Sequence, residues 1–199
     1  MLQTKSVSIG LLELLTRIMK EDVFDQFYLV GGTALALQIG HRVSVDIDMF
    51  GKCEIQEDLF LEKLSTIDTV TTLKKSQNIL ICKVGNVKVD FVNYQYPIIE
   101  NIRETNTIRM ASIIDIAAMK LNAIAGRGSK KDFIDIYYLL RTYSIEQLIA
   151  LYLKKYNDGS EFLVRKSLTY FDDADTETTP YMFENIAWED IKLSILEKV

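Results

Sequence analysis

Residues Tyr28–Phe50 read YLVGGTALALQIGHRVSVDIDMF and decide the fold that the sequence predicts. One apolar run ends at Val30, and a second, which carries Asp46 and Asp48, follows a short helical pattern. Residues two apart on a strand share a face, so Asp46 and Asp48 point the same way. Two carboxylates held there repel each other unless a cation or a shared proton lies between them. Mg²⁺ is the simplest candidate, because it prefers carboxylate oxygens and keeps substrate phosphates as further ligands.

A glycine-rich turn, Gly31-Gly32-Thr33, comes directly before the helical pattern Ala34–Ile39. Glycines let the backbone approach a ligand closely, and the free N–H groups at the start of a helix favour an anion. The turn and the carboxylates together predict a phosphate site beside a metal site. The alternative is a solvated strand face, on which an Asp-x-Asp pair is common.

A third strand carboxylate, Asp90, lies in the run Val87–Asn93 and shares a face with Lys88. It is the only acidic residue between Asp68 and Glu100. From its own surroundings, Asp90 is best explained as a solvated residue of an edge strand.

A lysine lies in the middle of an apolar helical stripe. Ser112 predicts the start of a helix over residues 113–125, and Lys120 falls near the centre of its apolar face. A lysine there loses hydration unless an anion meets it, or its stem packs while the ammonium reaches water. If phosphate is the partner, Lys120→Met should leave the ligand-free protein at least as stable.

The string GGTAL…GHR-x-S-x-D-I-D-x-F resembles the nucleotidyltransferase fold and, more narrowly, the AbiEii/AbiGii family of toxin-type nucleotidyltransferases. A second block is similar to the family pattern Lys-x-x-Ala-x-x-x-Arg-x-x-x-Lys-Asp-x-x-Asp. The residues that match this pattern are Lys120, Ala123, Arg127, Lys131, Asp132 and Asp135. The resemblance covers residues 27–140 in two separated blocks, and their order makes the match more specific than either block alone.

The resemblance implies roles for particular side chains. Asp46, Asp48 and Asp90 would hold Mg²⁺, with Asp90 serving a second metal and the acceptor hydroxyl. Nucleotide binding would fall to Gly31, Gly32, Thr33, Arg42, Ser44, Arg127 and Lys131, and further catalytic roles to Lys120 and Asp132. On structural grounds alone, Asp132 and Asp135 could solvate a helix flank, with Lys131 pairing with Asp135 four residues on.

Composition excludes several kinds of site. A single histidine, His41, rules out a histidine-based metal cluster, and Cys53 and Cys82 do not form a metal-binding pair. We expect a reduced cytoplasm and no membrane partner, because no leader and no membrane-length apolar run is present. Net charge is −5, yet residues 103–131 hold six basic and two acidic residues, so we expect this segment to meet phosphates.

The predicted fold is α+β: a nucleotidyltransferase-type mixed sheet with flanking helices in residues 1–106, and a C-terminal helical bundle in residues 107–199 that closes the nucleotide cleft. Residues 94–106 are predicted as a connector and the acidic segment 172–180 as a loop. Strands are expected at 27–30, around Asp46 and Asp48, and at 69–73, 79–84 and 87–93. Helices are expected at 8–23, 34–39, 56–64, 113–125, 131–140, 145–156, 161–171 and 188–199.

The predicted function is metal-dependent transfer of a nucleoside monophosphate from an NTP to an acceptor hydroxyl. The resemblance implies an RNA acceptor, such as the 3′ end of tRNA, and a toxin of a bacterial toxin–antitoxin or phage-defence system with a cognate antitoxin. Two alternatives remain: a nucleotide-binding sensor or partner-binding module without turnover, and a structural protein whose Asp-x-Asp pair binds a stabilising cation.

Overall fold

A computed structural model describes all residues, Met1–Val199, and divides the chain into two compact units. The first unit, which we call the sheet unit, comprises residues 1–40, 44–96 and 102–111. The second, the helical unit, comprises residues 41–43, 97–101 and 112–199. None of the helices combines the length and the apolar character needed to cross a lipid bilayer.

A seven-stranded mixed sheet forms the sheet unit. Its strands are β1 Tyr28–Leu29, β2 Asp46–Gly51, β3 Val70–Ser76, β4 Ile79–Val84, β5 Val87–Asn93, β6 Arg103–Thr105 and β7 Ile108–Met110. They lie in the order β3-β4-β5-β2-β1-β7-β6. The pairs β2–β5 and β1–β7 are parallel, and the other neighbours are antiparallel. The predicted mixed sheet is therefore confirmed, and the strands predicted at residues 79–84 and 87–93 pair as a hairpin.

One face of the sheet carries the apolar core. Ile47 and Met49 on β2 and Val89 and Phe91 on β5 are fully buried, while the alternate residues of both strands are only partly buried. Phe91 packs in a cluster of aromatic rings with Phe24, Phe27 and Phe60. Because alternate side chains face opposite sides, packing of Ile47 and Met49 fixes Asp46 and Asp48 on the other face.

Three helices accompany the sheet: α1 Ile9–Ile18, α2 Gly31–Ile39 and α3 Glu57–Ser65. Ser8 starts α1, where its hydroxyl accepts a hydrogen bond from the backbone N–H of Leu11 at 3.1 Å. Gly40 ends α2 in a left-handed conformation, with φ at 69°, which glycine adopts without strain.

The hairpin formed by β6 and β7 corrects the prediction of a connector over residues 94–106. Its turn residues, Asn106 and Thr107, both have positive φ, at 52° and 67°. Such a turn matches the twist of a hairpin, but its usual sequence signal is Asn-Gly, and threonine rarely adopts positive φ. The sequence does not predict this hairpin because that signal is absent.

Arg109 on β7 joins this hairpin to the core. Its guanidinium donates hydrogen bonds to the carbonyl oxygens of Met19, Phe24 and Phe27, at 3.0, 3.1 and 3.1 Å. These bonds join three backbone carbonyl groups through one side chain, and the carbonyl oxygen of Phe24 also accepts the N–H of Phe27. Arg109 is one of the six basic residues that the charge pattern predicts to meet phosphates, and here its guanidinium binds backbone carbonyl groups instead.

The helical unit contains α4 Ile113–Gly126, α5 Lys130–Leu139, α6 Ile145–Lys155, α7 Glu161–Leu168, α8 Asp172–Asp175 and α9 Trp188–Leu196. The predicted cap Ser112 is confirmed, and Ser144 forms a capping box with Gln147 at the start of α6. The acidic segment predicted as a loop contains the short α8 instead.

A buried ion pair fixes the segment Pro97–Asn101 in the helical unit. Lys155 Nζ lies 2.8 Å from Asp115 Oδ1 and also donates to the carbonyl oxygen of Pro97 at 2.7 Å. The Asp115 carboxylate accepts the backbone N–H groups of Ile99 and Glu100 at 2.9 and 3.0 Å. Burial raises the pKa of Asp115, but Lys155 and these N–H donors outweigh burial and lower it.

We predict that Arg109→Lys lowers the free energy of unfolding by about 1–3 kcal/mol, because an ammonium cannot satisfy three diverging carbonyl groups. Urea unfolding monitored by circular dichroism measures this change. Arg165→Lys is the matched control: Arg165 makes a pair with Glu161 that lysine can also make. Equal stabilities of the two variants would contradict the role of Arg109.

Candidate active site

The carboxylates predicted to bind metal meet on two adjacent parallel strands. Asp48 on β2 is the register partner of Asp90 on β5, and Asp46 is the partner of Lys88. Paired strands lie about 4.8 Å apart, so Asp48 and Asp90 are direct neighbours on the face opposite the core. The third carboxylate thus lies on a central strand, which contradicts its interpretation as an edge-strand residue.

Asp90 has one satisfied and one unsatisfied oxygen. Oδ2 accepts a hydrogen bond from Lys88 Nζ at 2.6 Å, and the side chain is 15% exposed. Oδ1 is buried and has no hydrogen-bond partner. A buried carboxylate oxygen without a donor is destabilising, so this atom is suited to a ligand that supplies a cation or a proton.

Gly31 is a position of the glycine turn at which the structure demands glycine. It begins α2 with φ at 67°, and a Cβ atom there would overlap Oδ2 of Asp48. The missing side chain therefore lets the start of α2 approach the Asp48 carboxylate. The first N–H groups of a helix have no partner within it, so those of Gly31 and Gly32 suit an anion.

Thr33 and Ser44 have buried hydroxyls that hold the backbone in place. Thr33 is 1% exposed; its Oγ1 donates to the carbonyl oxygen of Asp46 and lies 2.8 Å from Ser44 Oγ. Because one hydroxyl has one proton, Ser44 acts as the donor in the second bond. These contacts tie the first turn of α2 to the start of β2. The side chains position the acidic strand, and only their backbones are available for phosphate.

The residues present fit Mg²⁺ by their chemistry. No group of three or more carboxylate, histidine or cysteine side chains is arranged to hold a metal ion. The neighbouring Asp48 and Asp90 nevertheless offer the hard oxygen ligands that Mg²⁺ prefers, and Asp90 Oδ1 has no other partner. Mg²⁺ usually takes one or two carboxylates and completes its shell with water and phosphate.

The second block of the sequence forms a buried ion-pair network in the helical unit, centred on Asp135. Arg42 binds this carboxylate with two groups, Nε at 2.7 Å and Nη2 at 2.9 Å. Lys120 Nζ lies 2.6 Å and His41 Nε2 2.7 Å from it. Burial raises the pKa of Asp135, but Arg42, Lys120 and His41 outweigh burial and hold it well below its ordinary value.

Asp132 extends the network by one helical turn. It accepts hydrogen bonds from Lys120 at 2.8 Å, Arg127 Nε at 3.1 Å and Ser129 Oγ at 2.6 Å. Burial would raise its pKa, but Lys120 and Arg127 outweigh burial and lower it. Asp132 and Asp135 are fully buried, so neither solvates a helix flank.

The structure contradicts the explanation in which the Lys120 ammonium reaches water, and it gives this residue carboxylates as anionic partners. The residue is 5% exposed, so it does not extend to water, and its ammonium meets two carboxylates of α5. Burial would lower the pKa of Lys120, but Asp135 and Asp132 outweigh burial and raise it. Arg42, His41 and Lys120 all bind Asp135.

Two members of the network receive no role from the sequence. His41 lies in the Gly-His-Arg turn and Asp135 ends the second matched block, so both are visible in the motifs. Their pairing is not, because 94 residues separate them. A motif indicates that residues act together, but only the fold shows which ones touch.

We predict that Lys120→Met lowers the free energy of unfolding by about 3–5 kcal/mol, because it leaves two buried carboxylates with less compensation. This reverses the expectation of unchanged stability that the sequence alone suggests. Urea unfolding of the ligand-free protein measures the change, with Lys166→Met on the exposed face of α7 as the control. A Lys120→Met protein as stable as the control would contradict the network.

Comparisons with known proteins identify the family to which the chain belongs. The family model described as "Nucleotidyl transferase AbiEii toxin, Type IV TA system" matches residues 13–98 and 81–197. The uncharacterized protein aq_aa25 of Aquifex aeolicus is 37% identical over 195 residues, which span 94% of this chain and 93% of that protein.

Two solved structures share the fold. JHP933 from Helicobacter pylori has a TM-score of 0.58 and 18% identity, covering 96% of this chain and 90% of its own. MenT4, a nucleotidyltransferase toxin of Mycobacterium tuberculosis, has a TM-score of 0.55 and 12% identity, covering 95% and 80%. The predicted α+β nucleotidyltransferase fold is confirmed. The chain is a nucleotidyltransferase that belongs to the AbiEii toxin family.

Proposed function

We propose that the protein transfers a nucleoside monophosphate from an NTP to a hydroxyl group of RNA, with Mg²⁺ as cofactor. The observation that carries this proposal is the register pairing of Asp48 with Asp90, together with the unpartnered Oδ1 of Asp90. Like charges side by side need a cation, and the NTP carries the phosphates that complete the coordination shell of that cation. Bound Mg²⁺ would neutralise charge on the triphosphate and orient it.

The residues of the sheet unit suit the remaining steps. The N-terminus of α2 is the positive end of the helix dipole, and its first N–H groups are suited to bind the phosphates. Lys88 holds Oδ2 of Asp90 and Oδ1 is left for the cation, so the proton of the acceptor hydroxyl passes to water. The hydroxyl oxygen then forms a bond to the α-phosphorus, the bond between that phosphorus and the bridging oxygen breaks, and pyrophosphate leaves.

In the helical unit we assign two kinds of role. The side chain of Arg127 is 65% exposed. We propose that Arg127 and Lys131 neutralise the negative charge that develops on the leaving pyrophosphate. Lys120 and Asp132 bind each other and orient Arg127, so we treat both as positioning residues. The family description supports a toxin with a cognate antitoxin, and we extend that role to this chain, acting on RNA in the cytoplasm.

We predict that Asp48→Asn and Asp90→Asn each lower transfer at least about 10²-fold while the fold is retained, because their carboxylates lie outside the core. Incorporation of α-³²P-labelled nucleotide into total RNA measures transfer, and thermal unfolding checks the fold. Asp58→Asn, an exposed residue of α3, is the control. If the wild type binds Mg-NTP but transfers nothing, the alternative of a nucleotide-binding module replaces this proposal.

We predict that Gly31→Ala lowers the free energy of unfolding by about 1–3 kcal/mol, because alanine is strained at positive φ. The added Cβ must also displace the Asp48 carboxylate, so transfer should fall more steeply than stability. Gly10→Ala is the matched control, because a Cβ atom added at Gly10 would meet nothing within 4 Å. Full transfer activity of Gly31→Ala would contradict the close approach of α2 to Asp48.

A further inference from the structure

A second set of basic groups lies away from the segment where the sequence pointed. Of the six basic residues in residues 103–131, Arg109, Lys120 and Lys130 have internal partners. Residues 69–89, in contrast, contain four lysines and no acidic residue in a chain whose net charge is −5. This segment forms β3, β4 and the start of β5.

Three of these lysines lie on the sheet face that carries the carboxylates. Lys88 on β5 is the register partner of Asp46 on β2 and of Lys83 on β4. Directly opposed residues share a face, so Asp46, Lys88 and Lys83 form one row across three strands. One row further along, Asp48 is followed by Asp90, Ile81 and Lys74. We call Lys74, Lys83 and Lys88 the lysine strip.

The lysine strip is accessible. Lys74 and Lys83 are exposed, and 41% of the Lys88 side chain is exposed. The alternate residues of β4, Leu80 and Cys82, are fully buried on the other face. The strip therefore extends from the carboxylates to the edge of the sheet as an uncovered surface of one charge.

Aromatic rings border the same face. Phe50 follows Asp46 and Asp48 at two-residue spacing on β2, and its ring lies 4.8 Å from that of Tyr94. The Tyr94 ring lies 5.4 Å from that of Tyr96, which is 40% exposed. A basic surface that binds backbone phosphates, combined with rings on which bases stack, is the usual design of sites for single-stranded nucleic acid.

We propose that the lysine strip binds the phosphates of single-stranded RNA and directs its terminal hydroxyl to Asp90. The inference rests on the proposed function, which it deepens by naming the surface that holds the acceptor. The rows place the strip and the carboxylates on one continuous face, so a strand bound to Lys74 and Lys83 reaches Asp90 without leaving the sheet. Single-stranded RNA fits better than duplex, because only unpaired bases can stack on Tyr96.

The test uses Lys74→Gln/Lys83→Gln, which leaves every proposed catalytic residue intact. Fluorescence anisotropy with a labelled single-stranded oligoribonucleotide of about a dozen nucleotides should show binding weakened by about 10-fold, the scale of two lost phosphate contacts. The slope of log K against log salt should fall in magnitude by about 1.4, because each contact to a single strand contributes about 0.7. The thermal shift produced by Mg-NTP should not change.

Lys75→Gln is the matched control, because Lys75 lies on the same strand but pairs with Glu57 of α3 at 2.8 Å, on the opposite face. Unchanged RNA affinity and salt slope in the double variant would overturn the proposal, as would stronger binding of a duplex of the same sequence. Loss of RNA binding in the double variant, found together with a wild type that transfers no nucleotide, would support the strip and reject the proposed function. Normal nucleotide transfer together with normal RNA binding in the double variant would support the proposed function and reject RNA binding by the lysine strip.

Discussion

The parallel pairing of β2 with β5 is the constraint on which the rest of the site depends. It brings Asp48 and Asp90 into register on the face opposite the core, on strands about 4.8 Å apart, where their negative charges disfavour each other. Two neighbouring groups partly compensate this negative charge. Lys88 binds Asp90, and the start of α2 approaches Asp48 because Gly31 has no side chain. The divalent cation that accompanies a triphosphate fits this arrangement, because it places positive charge beside the carboxylates.

The helical unit contains buried carboxylates whose charge is compensated by basic side chains. Asp132 and Asp135 are fully buried, and four basic side chains surround them: His41, Arg42, Lys120 and Arg127. Desolvating so many charges is unfavourable, and an apolar core would give comparable stability. The network instead fixes orientation, since Arg42 binds Asp135 with two groups and Lys120 bridges both carboxylates. Such a network joins residues 41–43 to α4 and α5, which are distant in sequence.

The sequence predicts most helices, the strands with alternating apolar residues, and the carboxylate face, because each depends on local periodicity. It does not predict the β6–β7 hairpin, whose turn at Asn106 and Thr107 lacks the usual glycine. It also misjudges Lys120, because a helical wheel shows that a lysine is buried but not which carboxylates of another helix meet it. The sequence does not predict the lysine strip either, because its members come from three strands and only the register of those strands places them on one face.

The central claim is that the protein moves a nucleotide and not a phosphate. The most direct measurement compares α-³²P-labelled with γ-³²P-labelled NTP in parallel reactions with RNA, with Mg²⁺ present or chelated. The account predicts that the α-label appears in RNA, that the γ-label leaves as pyrophosphate, and that chelation stops both. Transfer of the γ-label to RNA, or transfer of the α-label that persists without a divalent cation, would contradict it.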